Sequence, residues 1–287
     1  MPELPEVETV VRGLRKRLIG EPVLAVEVRN AMSFQADRGL IDRHLVGACI
    51  LIVERVQKLI IVKLSSGYAL VCHLKMTGQM VFVGKSDKGF VGGHPEKAYE
   101  QPLPHKHTHV ILTFPHGTLY FNDLRKFGWI RLFSREQREA FLAAQQFGPD
   151  PLTKLFTGPY LWERIHGRKV PIKSLLLDQH IAPGVGNIYA DEALFDAKIS
   201  PLRKGTAITK QEADALAASV RKVIEMGIQY GGTTKNNYRS VDGSKGEMQH
   251  HLKVYGREGQ PCHKCPGLVV RKKIGQRSSH YCPSCQH

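Results

Sequence analysis

An α+β architecture in more than one domain follows from three features of this 287-residue sequence. One amphipathic segment is followed by a long succession of short β-type runs. The period then switches to that of helices after Gly148-Pro149-Asp150-Pro151, and the tail carries two Cys-x2-Cys pairs. At roughly 150 residues per domain, the length suits about two domains. Apolar residues make up 42% and charged residues 23%, which excludes a mainly disordered chain.

Taken in order, Val7, Val10, Val11, Leu14 and Leu18 share one helical face between Pro5 and Ile19. Pro5 suits a first helical turn and Gly20 a stop. Between residues 23 and 83 the runs VLAVEV, ACILIVERV, KLIIVKL, YALVCHL and QMVFV read as strands. HVILTF and TLYFND flank the turn PHG, and GWIRLF follows. Gly84–Pro104, rich in Gly, Lys and Pro, reads as a long surface loop. PYLWERI, PIKSLLLDQ, NIYADEALFDA and QEADALAASVRKVIEMGIQY read as helices, the last stopped by Gly231-Gly232. The expected organisation is a β-rich domain over 1–136, a linker over 137–152, a helical domain over 153–240 and a metal-dependent tail over 241–287.

Lys and Arg total 41 against 26 Asp and Glu, a formal charge of +15. Such an excess suits a polyanionic partner, because each phosphate contact releases condensed counterions; a generally basic enzyme is the plainer alternative. No apolar run reaches the roughly 18 residues of a membrane helix, since Glu54, Arg55, Gln57 and Lys58 interrupt the best candidate. Glu3, Glu6 and Glu8 are the reverse of a basic signal-peptide start. No membrane association and a cytoplasmic location are therefore expected. Of six cysteines, Cys49 and Cys72 sit in apolar surroundings and read as buried thiols.

The other four form Cys262-x2-Cys265 and Cys282-x2-Cys285, separated by sixteen residues. Two such knuckles around a short hairpin suit one structural Zn2+ with four thiolate ligands and no open position; two redox pairs are the alternative. Lys264, Arg271, Lys272, Lys273 and Arg277 lie between them, so the hairpin would present arginine to phosphate. At the other end, Met1-Pro2-Glu3 permits removal of Met1, which exposes a secondary amine on Pro2. An α-amine, with a pKa of about 7.7–8, is partly neutral at pH 7 and can attack an electrophilic carbon. Glu3 beside it can move a proton. Taken by itself, PELPE reads more readily as a proline-led, acidic helix start.

PELPEVETV at the start, HLKMTG at 73–78, NDLRKFG at 122–128, IKSLLLDQ with GVGNIYADEALF at 172–195, GGTT at 231–234, VYGREGQPC at 254–262 and QRSSHYCPSCQ at 276–286 together resemble the formamidopyrimidine-DNA glycosylase family, in the same order and over nearly the whole chain. Leu4 in PELPE resembles the oxidised-purine branch rather than the endonuclease VIII-like branch, which usually reads PEGPE. The resemblance implies a β-sandwich-like N-terminal domain, a helix-two-turn-helix DNA-binding domain, then a lesion loop and a zinc-finger β-hairpin. It also implies a bacterial, nucleoid-associated monomer acting on double-stranded DNA that contains oxidised bases.

By the same resemblance Pro2 is the nucleophile at the sugar C1′, Glu3 the general acid/base, Lys58 the lysine that assists elimination, and Arg277 the hairpin arginine that grips phosphate. His73, His107, Arg125, Lys169, Lys173 and Asn187 match DNA contacts. Met76, Arg125 and Phe127 match a wedge that fills the gap left by an extruded nucleotide. Read without the resemblance, Lys58 is an edge-strand lysine, Met76 and Phe127 are core residues, His73 is a structural histidine, and the GVGN turn is a helix–helix turn or a phosphate cradle at a helix N-terminus. Three positions depart from the family pattern: Gln57, where a small residue is common, Pro183 in the turn before Gly184, and Asn237 before Tyr238 in the Lys235–Gly246 loop expected to close over the extruded base. The implied activity is a bifunctional glycosylase and abasic-site lyase that excises 8-oxoguanine and formamidopyrimidines through a Schiff base, followed by β- and δ-elimination. The rivals are an endonuclease VIII-like enzyme for oxidised pyrimidines, a non-catalytic damage-binding protein of the same fold, and an RNA-associated zinc-ribbon protein.

Overall fold

The computed structural model describes residues 1–85, 89–93, 96–233 and 246–287. They fall into two compact units, one of Met1–Gln145 with Gly231–Glu247 and one of Gln146–Tyr230 with Met248–His287.

The first unit opens with helix α1, Leu4–Leu18, whose apolar face (Val7, Val10, Val11, Leu14 and Leu18) is buried as its 3.6-residue period requires. Two antiparallel sheets follow. One has four strands in the order β2 (Ile50–Val56), β3 (Leu59–Leu64), β4 (Ala69–His73) and β9 (Trp129–Phe133). The other has five, in the order β1 (Ala25–Val28), β7 (Thr108–Phe114), β8 (Gly117–Asp123), β5 (Gly78–Gly84) and β6 (Phe90–Gly93). One continuous core joins Val10 and Leu14 of α1 to Ile60 and Leu70 of the first sheet and Phe82, Leu112 and Phe121 of the second. This is the expected sandwich with an N-terminal helix. Each run read as a strand contains one.

Three segments differ from the sequence expectation. Helix α2, Arg38–His44, is too short to show a period; Asp37 caps it by accepting from the Gly39 and Leu40 N–H groups. Helix α3, Arg135–Ala144, lies in the stretch read as linker. Ser134 caps it, and Phe141 sets its ring against Trp129 and Phe133 of β9 at 5.9 and 5.3 Å. The Gly84–Pro104 segment is not merely a surface loop, for it supplies β6 and two buried aromatics, Phe90 and Tyr99. Phe90 lies against α1 where only Gly13 leaves room, since a Cβ there would run into its ring. The Arg17 guanidinium stands 5.6 Å from the ring centroid and donates to the Gly89 carbonyl at 2.8 Å. Of the two lone cysteines, Cys72 is buried, which pushes its thiol up to about 12, whereas Cys49, in an isolated bridge to Pro22, is half-buried.

The second unit holds helices α4 (Gly158–Ile165), α5 (Ile172–Leu176), α6 (Asn187–Asp196) and α7 (Lys210–Gln229), and the hairpin β10 (Val270–Ile274) and β11 (Arg277–Tyr281). Helix α7 begins with a capping box in which Thr209 and Glu212 satisfy each other's backbone N–H. No helix among the described residues is long and apolar enough to cross a membrane.

Phe90→Ala should lower unfolding free energy by about 3 kcal/mol through loss of a buried ring, measured by denaturant titration. An unchanged midpoint would mean that this segment does not pack on α1.

Candidate catalytic and nucleic-acid-binding site

In the first unit the N-terminus is held from several directions. Pro2 and Glu3 are buried, Glu3 to 3% exposure. Glu3 N–H donates to Glu6 Oε2 at 2.9 Å, and Glu6 Oε1 accepts from Thr233 N–H at 2.8 Å and Thr233 Oγ1 at 3.1 Å. Glu6 therefore ties the chain start to the Gly231–Thr233 turn. One helical turn on, Glu8 pairs with Arg55 at 3.1 Å, and Arg55 Nη1 donates to the Gln57 carbonyl at 3.2 Å. Arg15 adds a bond to the Val53 carbonyl at 2.6 Å. The head of α1 and the β2–β3 turn bearing Lys58 are thus one braced assembly.

That turn has two residues, Gln57 and Lys58, between the paired Val56 and Leu59. Gln57 sits at φ 56, in the left-handed region that disfavours side chains, which gives a physical reason for a small residue there. Both side chains are buried, Lys58 to 7% exposure.

A single row crosses the end of the four-stranded sheet: Val56 opposite Leu59, Leu59 opposite His73, His73 opposite Trp129. Beyond His73 and before Trp129 the chain crosses between the sheets, through turn 74–77 into β5 and through turn 124–128 out of β8. Since β5 pairs with β8 as β4 pairs with β9, the two crossings run side by side, closed at the far end by Gly78 opposite Asp123. They carry all three wedge candidates. Met76 is half-buried, Arg125 is exposed, and Phe127 is 54% exposed with the Arg125 guanidinium 4.7 Å from its ring centroid. An exposed aromatic under an arginine is not a core residue. Each crossing also holds a non-glycine residue at positive φ, Lys75 at 52° and Lys126 at 57°. Such backbone persists only where surrounding bonds over-determine it. Here Asp123 supplies them, accepting from Arg125 N–H at 3.1 Å, Gly128 N–H at 2.6 Å and the Thr77 hydroxyl.

His73 and His107 have structural environments. Burial first, then the positive charges of Lys75 and Lys58, pushes His73 down to about 3, and its Nδ1 accepts from Lys75 N–H at 2.9 Å. It is a neutral brace for the Met76 turn. His107 is half-buried and lowered by burial and by Lys106, and its carbonyl accepts from Asp123 N–H at 2.9 Å.

In the second unit, Asn187 is the first residue of α6, behind Gly186, which has no side chain to cap the helix. The preceding turn is stitched by Gln179. Its Oε1 accepts from Gly184 N–H at 2.9 Å, and its Nε2 donates to the carbonyls of Leu177 at 2.9 Å and Val185 at 3.1 Å. Pro183 fits this turn, with Gly184 at φ 86. Lys169 is exposed.

Lys173 requires a correction. At 1% exposure, its ammonium lies 2.7 Å from Asp191 Oδ1 and donates to the Ser278 carbonyl at 2.7 Å. A buried, paired charge of this kind cannot be offered to a DNA backbone without leaving Asp191 uncompensated. Asp191 Oδ2 also accepts from His280 N–H at 2.9 Å, so the pair fastens β11 to α5 and α6. Lys173 thereby positions the strand that begins with Arg277, which stands exposed at the tip of the hairpin.

The hairpin's other support is the cysteine cluster. The sulfurs of Cys262, Cys265, Cys282 and Cys285 all lie within 4.8 Å of one another, with Cys262–Cys285 at 3.8 Å and Cys265–Cys282 at 3.5 Å. A tetrahedral zinc with Zn–S bonds of about 2.3 Å places its sulfurs about 3.8 Å apart, so the four residues fit one such ion. N–H groups of Lys264 and Gly267 donate to Cys262 and Cys265 at 3.4 Å. The Gly267 bond is the main reason that the Cys265 thiol is lowered to about 7, whereas burial raises Cys282 and the neighbouring Cys265 raises Cys285 to about 12, so without an ion the cluster holds its protons on those two sulfurs. Glu192, buried in α6, accepts from the N–H groups of Lys253, Val254 and Tyr255 at 2.8, 3.0 and 2.8 Å, fixing the approach to the first knuckle.

Sequence reasoning missed Glu6, Tyr99, Asp123, Gln179, Asp191 and Glu192. Several stand inside the quoted motifs, but nothing in a motif says which polar residue turns inward. The expected lesion loop, with Asn237 and all but Gly246 of Lys235–Gly246, lies outside the described residues.

The His73 environment has a measurable consequence. As pH falls below 6.5, an unfolded chain takes up a proton that the folded imidazole refuses until about 3. Its contribution to stability is therefore complete above 6.5 and declines as pH falls through that window. His73→Asn, which keeps an acceptor for Lys75 N–H, should lose less melting temperature than the parent between pH 7 and pH 5. Identical acid dependence of the two proteins would contradict the half-buried, neutral imidazole.

Comparison with known proteins follows the same division of the chain. Residues 1–130 match the formamidopyrimidine-DNA glycosylase N-terminal domain, 147–238 its H2TH domain, and 259–287 the zinc finger found in FPG and IleRS. The chain is 37% identical over 288 residues to the formamidopyrimidine-DNA glycosylase of Desulfitobacterium hafniense, with all of both chains covered. It is 40% identical over 289 residues to that of Cereibacter sphaeroides, again with full coverage. Among solved structures it is similar to a Lactococcus lactis FPG variant in complex with a Fapy-dG containing DNA (TM-score 0.88, 30% identity, all of both chains). It is also similar to the L. lactis Fpg bound to abasic-site DNA (TM-score 0.87, 30% identity, 99% of each chain). Matched from end to end in both sequence and fold, the chain belongs to the formamidopyrimidine-DNA glycosylase family.

Proposed function

We propose that this protein is a bifunctional DNA glycosylase and abasic-site lyase that excises oxidised purines from duplex DNA. The observation that carries the reading is the braced head of α1, with Pro2 and Glu3 buried and tied through Glu8 and Arg55 to the Lys58 turn. Relatives of the same length carry the name of this activity, and the solved relatives are bound to Fapy-dG and abasic-site DNA.

In the mechanism that fits these residues, loss of Met1 turns the Pro2 amide into a secondary amine, neutral enough near pH 7 to attack. Its lone pair attacks C1′, and the glycosidic bond breaks with its electrons leaving on the base. Glu3 moves a proton at the sugar as the ring opens to the Schiff base. Loss of a C2′ proton then expels the 3′ phosphate, and a second elimination expels the 5′ phosphate. Lys58 assists elimination and Arg277 holds phosphate at the lesion. Met76, Arg125 and Phe127 fill the vacated stack, and Asn187, His107 and Lys169 line the backbone path. Four thiolates would hold one zinc ion, whose part is to frame the hairpin. The protein acts as a monomer in the bacterial cytoplasm, on the chromosome.

The test uses zinc-loaded protein shown by mass to lack Met1, with duplexes holding 8-oxoguanine opposite cytosine, dihydrouracil, or no lesion. Release of 8-oxoguanine with cleavage on both sides of the sugar is expected. Pro2→Gly should strongly reduce both while duplex binding stays within a few-fold, and Glu3→Gln should slow base release by about a hundredfold or more. Release of dihydrouracil alone would move the protein to the pyrimidine branch. Binding without release would make it a damage sensor.

A further inference from the structure

The Gly84–Pro104 segment has no role in the chemistry above, yet it delivers one side chain to the centre of the wedge. Tyr99 ends a short 3-10 turn, Lys97–Tyr99, and is 5% exposed. Its hydroxyl donates to the Thr77 carbonyl at 2.6 Å and accepts from Leu124 N–H at 2.7 Å. Thr77 follows Met76 in one crossing, and Leu124 precedes Arg125 in the other. One phenol thus joins both crossings at the residues flanking the wedge side chains. The Thr77 hydroxyl makes the second link, accepting from Arg125 N–H at 3.1 Å and donating to Asp123. The Tyr99 ring is seated in parallel on His105, ring centroids 5.6 Å apart, with His107 edge-on at 6.3 Å. Burial raises the phenol above its ordinary range, so it stays protonated and keeps its donor.

We propose that Tyr99 is a positioning residue for the wedge: its hydroxyl bolts the Met76 turn to the Arg125–Phe127 turn so that the three side chains enter the base stack as one rigid body. The proposal rests on the reading of Met76, Arg125 and Phe127 as the wedge. An insertion device must hold its shape while it displaces stacked bases. Both crossings contain positive-φ residues that unsupported backbone would relax. Without the hydroxyl, the Thr77 carbonyl and Leu124 N–H each lose a partner, and the join beside the Gly78–Asp123 pair falls to the Thr77 hydroxyl and Asp123. That remaining join keeps the fold but lets the two turns shift against each other.

Insertion can be read without chemistry, on a duplex carrying a tetrahydrofuran abasic analogue opposite 2-aminopurine, whose fluorescence reports unstacking of the orphaned base. Wild-type protein should give a fast fluorescence phase after binding, which Met76→Ala with Phe127→Ala abolishes. Tyr99→Phe, which keeps the ring on His105, should bind within about threefold of wild type but slow that phase by about tenfold or more, since two buried hydrogen bonds are lost. Wild-type kinetics in Tyr99→Phe would overturn the inference and leave the wedge intact, as would binding and insertion falling by one common factor. No fluorescence phase in the wild type, or one untouched by the wedge double variant, would bring down the wedge reading and this inference with it. A second measurement needs no variant: the Leu124 amide, on an exposed residue, should exchange its hydrogen slowly in the wild-type protein. Rapid exchange would show that Tyr99 does not hold it.

Discussion

Asp123 is wholly buried, and its side chain is devoted to holding a turn: two backbone N–H groups and one hydroxyl converge on it. The same device recurs at three other irregular segments. Glu6 holds Glu3 N–H and Thr233 N–H, Glu192 holds three consecutive N–H groups before the first zinc knuckle, and Asp191 holds His280 N–H and the Lys173 ammonium. A carboxyl group can accept several bonds at once, and removing it orphans every donor it serves, at roughly 1–3 kcal/mol each. The sandwich and the helices supply rigidity, while these acidic side chains convert it into fixed positions for loops that have no ladder of their own.

That constraint explains how a strongly basic protein can place its cations. Lys58 stands on a two-residue turn, Arg277 directly after one, and Arg125 on a sheet crossing. Such segments would wander under mutual repulsion unless pinned from inside. The pinning groups are acidic, Asp123, Asp191 and Glu192 buried and Glu6 half-buried, whereas Arg125, Lys126 and Arg277 remain exposed. Lys173 is the instructive exception. It is cationic and lies in a motif that suggests DNA, but it is itself part of the pinning, because Asp191 faces it inside the unit.

Much of this was legible beforehand. Short β-type runs marked every strand of the first unit except β6, the 3.6-residue period marked α1 and α7, and the spacing of Cys262, Cys265, Cys282 and Cys285 marked a metal knuckle pair. What escaped notice shares one cause. The roles of Tyr99 and Asp191 depend on partners 18 to 89 residues away, brought close only by the tertiary fold, and Asp123 joins the Thr77 hydroxyl, 46 residues back, to N–H groups of its own turn. Tyr99 was further masked by Gly- and Pro-rich surroundings that read as loop, and α2 by its length of seven residues. Lys173 and Lys169 look alike in a sequence; one is buried and the other exposed because only one has a carboxylate to meet.

The central claim is that the braced N-terminus is the reacting group. Its most direct test is borohydride reduction of zinc-loaded protein, freed of Met1, on a duplex with one 8-oxoguanine opposite cytosine, with the adduct located by peptide mass spectrometry. A single covalent protein–DNA species on the N-terminal peptide, at Pro2, is expected. An adduct on Lys58 or another lysine, or none on any lesion, would contradict it.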